Sequence, residues 1–280
     1  MLSEIKKIVK HGLACAQRYG ASAGLRLMAR LELAHRAKGL SSVEIPGLKN
    51  PTWLRPRTSD VETLIQVFVL AEYDVFGTRQ YAWLSNRYEE IVSGGGRPLI
   101  IDCGANIGLS AIWFSSRYPK AEIVAVEPDD GNLAIMRRNL AHYPNVRIVQ
   151  GGVWDASCRL SVLNPDAQPW AYITERGESG GIAAYTVDEL SEGRPIFIAK
   201  IDIEGSEQAL FRSNDAWIGR TDMVVIELHD WLFPGRRTSA NFFKRIARED
   251  FEFLSTPQNL FFFLYRERSI RPVAAALLKA

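Results

Sequence analysis

The stretch RPLIIDCGANIGLSAIWFSSRYPKAEIVAVEP, residues 97–128, decides the fold of this chain. An apolar run over residues 99–101 stops at Asp102, and a turn with two glycines leads into an apolar helical segment that a proline ends. A second apolar run, residues 123–126, stops at Glu127. A strand, a glycine turn, a helix and a second strand that ends in an acid predict one half of a nucleotide-binding α/β sheet.

The glycines of this turn indicate which nucleotide to expect. A dinucleotide-binding turn has glycine at its first, third and sixth positions, which here are Gly104, Asn106 and Leu109. The pattern fails twice, which argues against an NAD-linked dehydrogenase. Asp102 at the end of the first strand suits an ammonium group, and Glu127 at the end of the second can accept two ribose hydroxyls. An amino-acid ammonium and a ribose in one ligand describe S-adenosylmethionine.

Four motifs along the chain carry a family resemblance. In order they are IDCGANIGLSAIWF, VAVEPDDGN, IAKIDIEGSEQAL and VVIELHDW. With these motifs the chain resembles the FkbM family of S-adenosylmethionine-dependent O-methyltransferases, which have the class I, seven-strand methyltransferase fold. The resemblance covers residues 97–255 well and the segment WLRPRTSDVETLIQVFVLAEYD more loosely. It implies a methyltransferase of polysaccharide biosynthesis or natural-product assembly.

The rest of the pattern indicates one α/β domain with an appendage. We expect the doubly wound, Rossmann-like sheet of that fold over residues 97–268, mostly parallel and with an antiparallel last strand. An N-terminal helical cap is predicted over residues 1–93, and the glycines at 94–96 suggest a flexible joint between the two. A hairpin insertion is predicted over residues 158–186, and a basic C-terminal tail over 269–280.

Composition and charge restrict the function further. Apolar and charged contents of 47% and 24% are those of a globular protein. The three cysteines are far apart, no signal peptide is visible, and no apolar run approaches the ~20 residues that span a bilayer, so we expect a cytoplasmic location. The net charge of +2 hides two basic ends, residues 1–40 and 265–280, on an acidic body. These ends allow peripheral contact with a membrane, while the acidic body argues against nucleic acid as a partner.

Charged residues cluster where the later strands are predicted to end. Lys200 lies inside an apolar strand that ends near Asp202 and Glu204, and we expect Asp202 or Glu227 to pair with the lysine. Ligands lie at the carboxyl ends of the strands of an open α/β sheet, so these groups should form the transfer site. In one mechanism His229 is the general base, and Asp202, Glu204 and Lys200 are further catalytic candidates. In the other, Asp202, Glu227 and His229 hold a divalent cation, Mg²⁺ or Mn²⁺, that lowers the pKa of the acceptor hydroxyl.

The cofactor residues follow from the strand ends and the loops after them. The expected set is Asp102, Gly104, Ala105, Asn106, Gly108, Glu127, Pro128, Val153, Trp154, Asp155 and Asp202. In this fold the loop after the third strand borders the adenine. We therefore expect Asp155 to accept from its exocyclic amine, with Val153 or Trp154 on the face of the ring.

The acceptor is defined less closely by the sequence. Arg55, Arg57 and Tyr73, in the N-terminal region, suit stacking on a sugar and pairing with an anionic group. The favoured function is O-methylation of a hydroxyl on a sugar, a polysaccharide precursor or a glycosylated natural product. The alternatives are N-methylation of a small amine and a catalytically silent S-adenosylmethionine-binding scaffold in an assembly complex. The oligomeric state stays open, with a homodimer as one option.

Overall fold

The computed structural model describes residues 2–162, 174–177 and 181–265. Its strands are β1 (Ser41–Val43), β2 (Thr52–Leu54), β3 (Leu99–Cys103), β4 (Glu122–Glu127), β5 (Val146–Gln150), β6 (Gly152–Val153), β7 (Cys158–Val162), β8 (Thr174–Arg176), β9 (Ile182–Tyr185), β10 (Ile196–Ile201), β11 (Thr221–Ile226), β12 (Phe251–Ser255) and β13 (Leu260–Leu264). Its helices are α1 (Leu2–Tyr19), α2 (Ala21–Arg36), α3 (Asp60–Leu64), α4 (Arg79–Ser93), α5 (Leu109–Arg117), α6 (Asp130–Asn139), α7 (Val187–Ser191), α8 (Glu207–Leu210) and α9 (Ala240–Ile246), with a π-helix over Ile65–Val69 and a 3₁₀ helix over Ala216–Arg220. Across the described residues, none of the helices has both the length and the apolar content needed to cross a bilayer.

The central sheet has seven strands in the order β12-β13-β11-β10-β3-β4-β5. The five strands from β11 to β5 run parallel, and Lys200 of β10 is level with Asp102 of β3. β13 pairs antiparallel with β11, and β12 pairs antiparallel with β13. This confirms the predicted doubly wound, mostly parallel sheet with an antiparallel last strand.

Alternation along the strands divides the buried apolar side chains between the two faces of the sheet. Ile100 of β3 and Ile198 of β10 belong to one apolar cluster, together with Phe114 of α5. Ile101 of β3 belongs to a second cluster, together with Phe242 of α9. Both faces are therefore covered, as a parallel sheet requires.

The N-terminal region packs on the first of these faces. Leu31 of α2, Leu64 of α3 and Leu84 of α4 are buried in the same cluster as Ile100. The glycines at 94–96 follow α4 directly, so the predicted joint connects two parts of one continuous apolar core. Removal of the N-terminal region would expose this face of the sheet to water, at a cost proportional to the apolar area uncovered.

A second, four-stranded sheet has the order β6-β9-β7-β8. β7 pairs antiparallel with β8 and β9, and β6 pairs parallel with β9. The predicted insertion over residues 158–186 is observed as strands β7 to β9 where it is described. The rest of it, and the predicted basic tail at 269–280, lie outside the described residues.

Candidate active site

The turn between β3 and α5 brings the backbone against the end of β10. Gly104 has a φ of 81°, and a Cβ at this position would overlap the carbonyl oxygen of Asp202. The N–H groups of Gly104 and Ala105 donate to the carbonyl of Val126 at 3.0 and 2.9 Å. Only glycine combines a left-handed backbone with so close an approach. The turn therefore joins the ends of β3, β4 and β10 through backbone contacts.

Glu127, at the end of β4, presents a buried carboxylate to this turn. Its Oε2 accepts from the N–H of Asn106 at 2.9 Å. Its Oε1 accepts from the N–H of Asp129 at 3.0 Å and from Nδ2 of Asn132 at 3.1 Å. Burial raises the pKa of Glu127, and these hydrogen bonds oppose the rise. A carboxylate has about four lone-pair directions, so this arrangement leaves one on Oε2 for a ribose hydroxyl.

A cavity of about 250 Å³ opens beside the turn. The predicted cofactor residues that line it are Gly104, Asn106, Glu127, Pro128, Val153, Trp154 and Asp202. The other four, Asp102, Ala105, Gly108 and Asp155, are not among the described residues of the lining. Arg55, Thr58 and Ser59 also line the cavity, so the N-terminal region forms part of its wall.

Asp102 lies behind the turn and is fully buried. Its Oδ2 accepts from the hydroxyl of Ser110 at 2.6 Å, and its Oδ1 is 3.2 Å from Nζ of Lys200. Lys200 also donates to the carbonyl of Gly104 at 2.6 Å and lies 3.5 Å from Asp202. Burial would lower the pKa of Lys200, but the charges of Asp102 and Asp202 outweigh it and raise that pKa. Asp102 and Lys200 thus form a charged pair that supports the turn, and Asp202 is one of the two expected partners of the lysine.

The predicted acceptor residues are separated in the structure. Tyr73 is buried in the core, with its ring centroid 5.4 Å from that of Phe114 and 6.0 Å from that of Trp113. The side chain of Arg57 is exposed, whereas Arg55, two residues earlier, lines the cavity. Of the three, Arg55 alone is among the described lining residues, and Asn106 and Glu127 of the expected cofactor set line the same cavity.

Beyond β10 and β11, four carboxylates surround one buried imidazole. Nδ1 of His229 is 2.8 Å from Oε1 of Glu207. Its Nε2 is 3.2 Å from Glu204, 3.7 Å from Asp202 and 3.9 Å from Glu227. We call these five residues the transfer cluster. They come from the loops after β10 and β11 and from helix α8, and the parallel strands bring them together.

The charges of the transfer cluster shift the pKa values of its members. Burial would lower the pKa of His229, but the hydrogen bond and charge of Glu207, followed by the charges of Asp202 and Glu204, raise it to about 9. Burial, together with the charge of Asp202, raises the pKa of Glu204 to about 8 and that of Glu227 to about 7. An imidazole in this setting is held in its protonated form near neutral pH.

The backbone after β10 turns sharply to bring the acids together. Glu204 has a φ of 53° and Gly205 a φ of 92°. A Cβ on Gly205 would overlap the ring of Phe233. Left-handed conformations are costly for residues other than glycine, and they are common at functional sites.

Part of the transfer cluster has the chemistry of a cation site. One ligand atom from each of Asp202, Glu227 and His229 lies within 4.8 Å of the other two. Carboxylate oxygens suit Mg²⁺ and Mn²⁺, and an imidazole suits first-row metals. The residues therefore fit a divalent cation, one of the two mechanisms that the sequence leaves open.

Comparison with known proteins identifies the family. The methyltransferase FkbM domain matches residues 102–255, more than half of the chain. The chain belongs to the FkbM methyltransferase family. The cavity beside Gly104 and Glu127 is where we expect the methyl-donor cofactor of such a domain to bind.

Individual relatives of this FkbM methyltransferase match it over part of their length. Methyltransferase sdnD of Sordaria araneosa is 29% identical in a match that covers 42% of this chain and 61% of sdnD. The AMB antimetabolite synthetase AmbE of Pseudomonas aeruginosa is 26% identical in a match that covers 54% of this chain and 10% of AmbE. The chain thus spans less than two thirds of both relatives. An O-methyltransferase from Bacillus cereus, solved in complex with SAH, is similar at 15% identity and a TM-score of 0.40, covering 75% of this chain and 92% of that one.

Two polar side chains of the site were not predicted from the sequence, because they lie on the helices that follow the acidic residues at the strand ends. Asn132, in the first turn of α6, binds Glu127 and lines the cavity. Glu207, the first residue of α8, binds His229 and is fully buried. A polar residue in the first turn of a helix that follows a strand-end acid is the signal that could have found both.

A third missed residue, Glu72, comes from the N-terminal region. It follows the π-helix, and Ala71 before it has a φ of 52°. Glu72 is buried and interacts electrostatically with Asp202, Lys200 and Glu227. Burial and the charge of Asp202 raise the pKa of Glu72 to about 7. A π-helix often marks a functional site, but its position is not readable from apolar periodicity.

Proposed function

We propose that this FkbM methyltransferase transfers the methyl group of S-adenosylmethionine to a hydroxyl of a sugar, a polysaccharide precursor or a glycosylated natural product. The proposal is supported by the position of Asp202 and Glu204, which line the cofactor cavity and also belong to the transfer cluster. The methyl donor and the groups that handle the acceptor proton are therefore neighbours.

The reaction is an in-line displacement at the methyl carbon. The acceptor oxygen forms a bond to the methyl group as the bond from carbon to the sulfonium breaks, S-adenosylhomocysteine leaves, and the hydroxyl proton is lost. The sulfonium is already an activated donor, so orientation supplies much of the rate. A sugar hydroxyl is a weak acid, and removal of its proton is the step for which side chains are needed.

Between the two mechanisms, the contacts of His229 favour a cation. Its Nδ1 pairs with Glu207, and carboxylates of Asp202 and Glu204 lie near its Nε2, so they hold a proton on Nε2 and leave the ring no free nitrogen to act as a base. A divalent cation would take the place of that proton among the same carboxylates, while Nδ1–H still donates to Glu207. Asp202, Glu227 and His229 would hold Mg²⁺ or Mn²⁺, which lowers the pKa of a bound hydroxyl. Glu204 then remains to accept the proton. His229 as the general base is the alternative.

A second candidate function is N-methylation of a small amine. The surplus of carboxylates in the transfer cluster favours it, because acids attract a protonated amine and can take the proton it must lose before attack. A silent S-adenosylmethionine-binding scaffold is the third option, and it would bind the cofactor without turnover.

Calorimetry with S-adenosylhomocysteine and then a methyl-transfer screen would test these options. The screen compares sugars, nucleotide sugars and small amines with and without EDTA, Mg²⁺ and Mn²⁺. We expect micromolar binding of the cofactor product, transfer to a hydroxyl, and loss of transfer with EDTA that Mg²⁺ or Mn²⁺ restores. Transfer that is insensitive to EDTA would support His229 as the base, and transfer to amines alone would support the second function. Binding of NAD(H) and none of S-adenosylhomocysteine would overturn the proposal.

A further inference from the structure

Arg55 connects the N-terminal region to the cofactor cavity through a fixed geometry. Its Nη2 and Nε donate to the two carboxylate oxygens of Asp60 at 2.7 and 3.0 Å, and its backbone N–H donates to Asp60 Oδ2 at 2.8 Å. Asp60 is buried, with 1% of its surface exposed. A two-point contact of this kind fixes the plane of the guanidinium as well as its position.

The guanidinium also determines how Asn132 is oriented. Nη2 of Arg55 donates to Oδ1 of Asn132 at 2.8 Å. An arginine carries donors and no acceptor, so the amide must turn its oxygen toward Arg55. Its Nδ2 then faces Glu127 and donates to Oε1 at 3.1 Å. Hydrogen bonds thus link Asp60, Arg55, Asn132 and Glu127 in this order, and each residue fixes the orientation of the next.

The loop that carries Arg55 is anchored to the same helix as Asn132. The backbone of Trp53 exchanges two hydrogen bonds with the side chain of Asn139 in α6, at 2.6 and 3.2 Å. The guanidinium of Arg138 lies 3.7 Å from the centre of the Trp53 ring. These contacts hold the loop and α6 in register, so Arg55 reaches Asn132 without a flexible connection.

We propose that Arg55 is a positioning residue for the cofactor ribose, acting through Asn132 on the carboxylate of Glu127. The proposal rests on the proposed function, since it takes S-adenosylmethionine as the ligand of this cavity. It assigns Arg55 to the cofactor instead of the acceptor. It also assigns the N-terminal region a part in cofactor binding.

The orientation of Glu127 matters because little of its accepting capacity remains. Three protein donors, Asn106, Asp129 and Asn132, use three of its roughly four lone-pair directions. The remaining direction on Oε2 must point into the cavity to meet a ribose hydroxyl. A rotation of the carboxylate that followed loss of the Asn132 contact would turn it away.

Competition binding with ligands that differ in their ribose hydroxyls would test this inference on the full chain. The ligands are S-adenosylhomocysteine, adenosine and 2′,3′-dideoxyadenosine, and the variants are Arg55→Gln and the exposed, matched Arg137→Gln of α6. We expect Arg55→Gln to weaken binding of the first two ligands about 10-fold, the effect of one hydrogen bond to a charged group. Binding of the dideoxy compound should change less than about 2-fold, because it lacks the hydroxyl that Glu127 would accept from, and Arg137→Gln should leave the binding of all three ligands unchanged.

Two further variants keep the test decisive. If Arg55→Gln unfolds, Arg55→Lys keeps the charge without the planar two-point contact and should give a smaller loss with the same dependence on the ribose. Combining Arg55→Gln with Asn132→Ala should weaken S-adenosylhomocysteine little more than either change alone, because both act through Glu127. Equal losses for adenosine and dideoxyadenosine, or no loss at all, would overturn the inference. Failure of the unaltered chain to bind S-adenosylhomocysteine would instead overturn the proposed function.

Discussion

The cofactor cavity and the transfer cluster, which we call the cofactor end and the transfer end of the site, are built in different ways. At the cofactor end, the backbone of the turn at Gly104 fits against the end of β10, and Glu127 accepts hydrogen bonds from the backbone N–H groups of Asn106 and Asp129. At the transfer end, His229 is surrounded by carboxylates that include Asp202 and Glu207, and Glu72 from the N-terminal region adds its charge. The cofactor end is thus shaped by steric fit, and the transfer end by charge. Changes at the first should affect binding and folding, and changes at the second should affect rate and pH dependence.

Gly104→Ala should have the largest effect, and it should disrupt both the fold of the turn and ligand binding at the cofactor end. The added Cβ would overlap the carbonyl oxygen of Asp202, and the backbone is left-handed. We expect it to lower the free energy of unfolding by more than about 4 kcal/mol and to abolish binding of S-adenosylhomocysteine. Urea unfolding and calorimetry would measure both.

Gly95→Ala is the matched control for this substitution. Gly95 has the same φ of 81°, but a Cβ there meets nothing within 4 Å. It should cost only the left-handed conformation, about 1–2 kcal/mol, with cofactor affinity kept. Equal costs for the two alanines would show that the contact with Asp202 has no part in the fold of the turn.

His229→Ala should impair catalysis at the transfer end and leave ligand binding at the cofactor end unchanged. We expect kcat to fall by about 10²–10⁴ with little change in the affinity for S-adenosylhomocysteine, whether the imidazole holds a cation or takes the proton. His142→Ala, at an exposed position, serves as the control. A parallel loss of cofactor affinity would mean that the two ends are not separable in this way.

The same contrast explains how far the sequence predicts the molecule. The strands and the turn at Gly104 are local patterns, so periodicity and glycine positions suffice to find them. Lys200 was expected to pair with Asp202 or Glu227, and the structure adds Asp102, which lies level with it on the neighbouring strand β3. Finding that partner requires the strand order. Tyr73 was expected to contact an acceptor; its ring is buried beside Trp113, and its hydroxyl interacts with Glu72 and Asp202, so contact with an acceptor stays a prediction. Aromatic type alone does not distinguish a binding surface from a core.

Glu72→Gln tests whether the charge at the transfer end makes the stability of the protein depend on pH. A carboxyl whose pKa rises from 4.5 to about 7 on folding takes up a proton between those values, so its presence makes stability fall as pH rises through that range. Glutamine cannot ionise, so it removes this loss of stability at higher pH. The variant should therefore gain stability relative to the wild type from pH 4.5 to pH 7 and keep a gain of up to about 3 kcal/mol above it.

Urea unfolding at pH 5 and pH 8 would measure this difference, with the exposed Glu89→Gln as the matched control. Glu89→Gln should show the same stability difference at both pH values. A Glu72→Gln effect that does not depend on pH would mean that folding does not raise the pKa of Glu72, and that neither burial nor the nearby carboxylates act on it in this way.

Asp155→Ala should have the smallest effect, and it tests where the cofactor end stops. Asp155 was expected to accept from the adenine amine, but its Oδ2 accepts from the hydroxyl of Ser213 at 3.0 Å, and it is not among the described residues that line the cavity, whereas Val153 and Trp154 are. Its role is therefore to join two loops, and its loss should cost about 1 kcal/mol of stability and change the affinity for S-adenosylhomocysteine less than about 2-fold. S-inosylhomocysteine, which lacks the exocyclic amine, supplies the decisive comparison. If Asp155 met that amine, the alanine variant would lose much of its preference for the adenine compound over the inosine compound. If it joins the loops, the preference should be the same in both proteins while thermal stability falls.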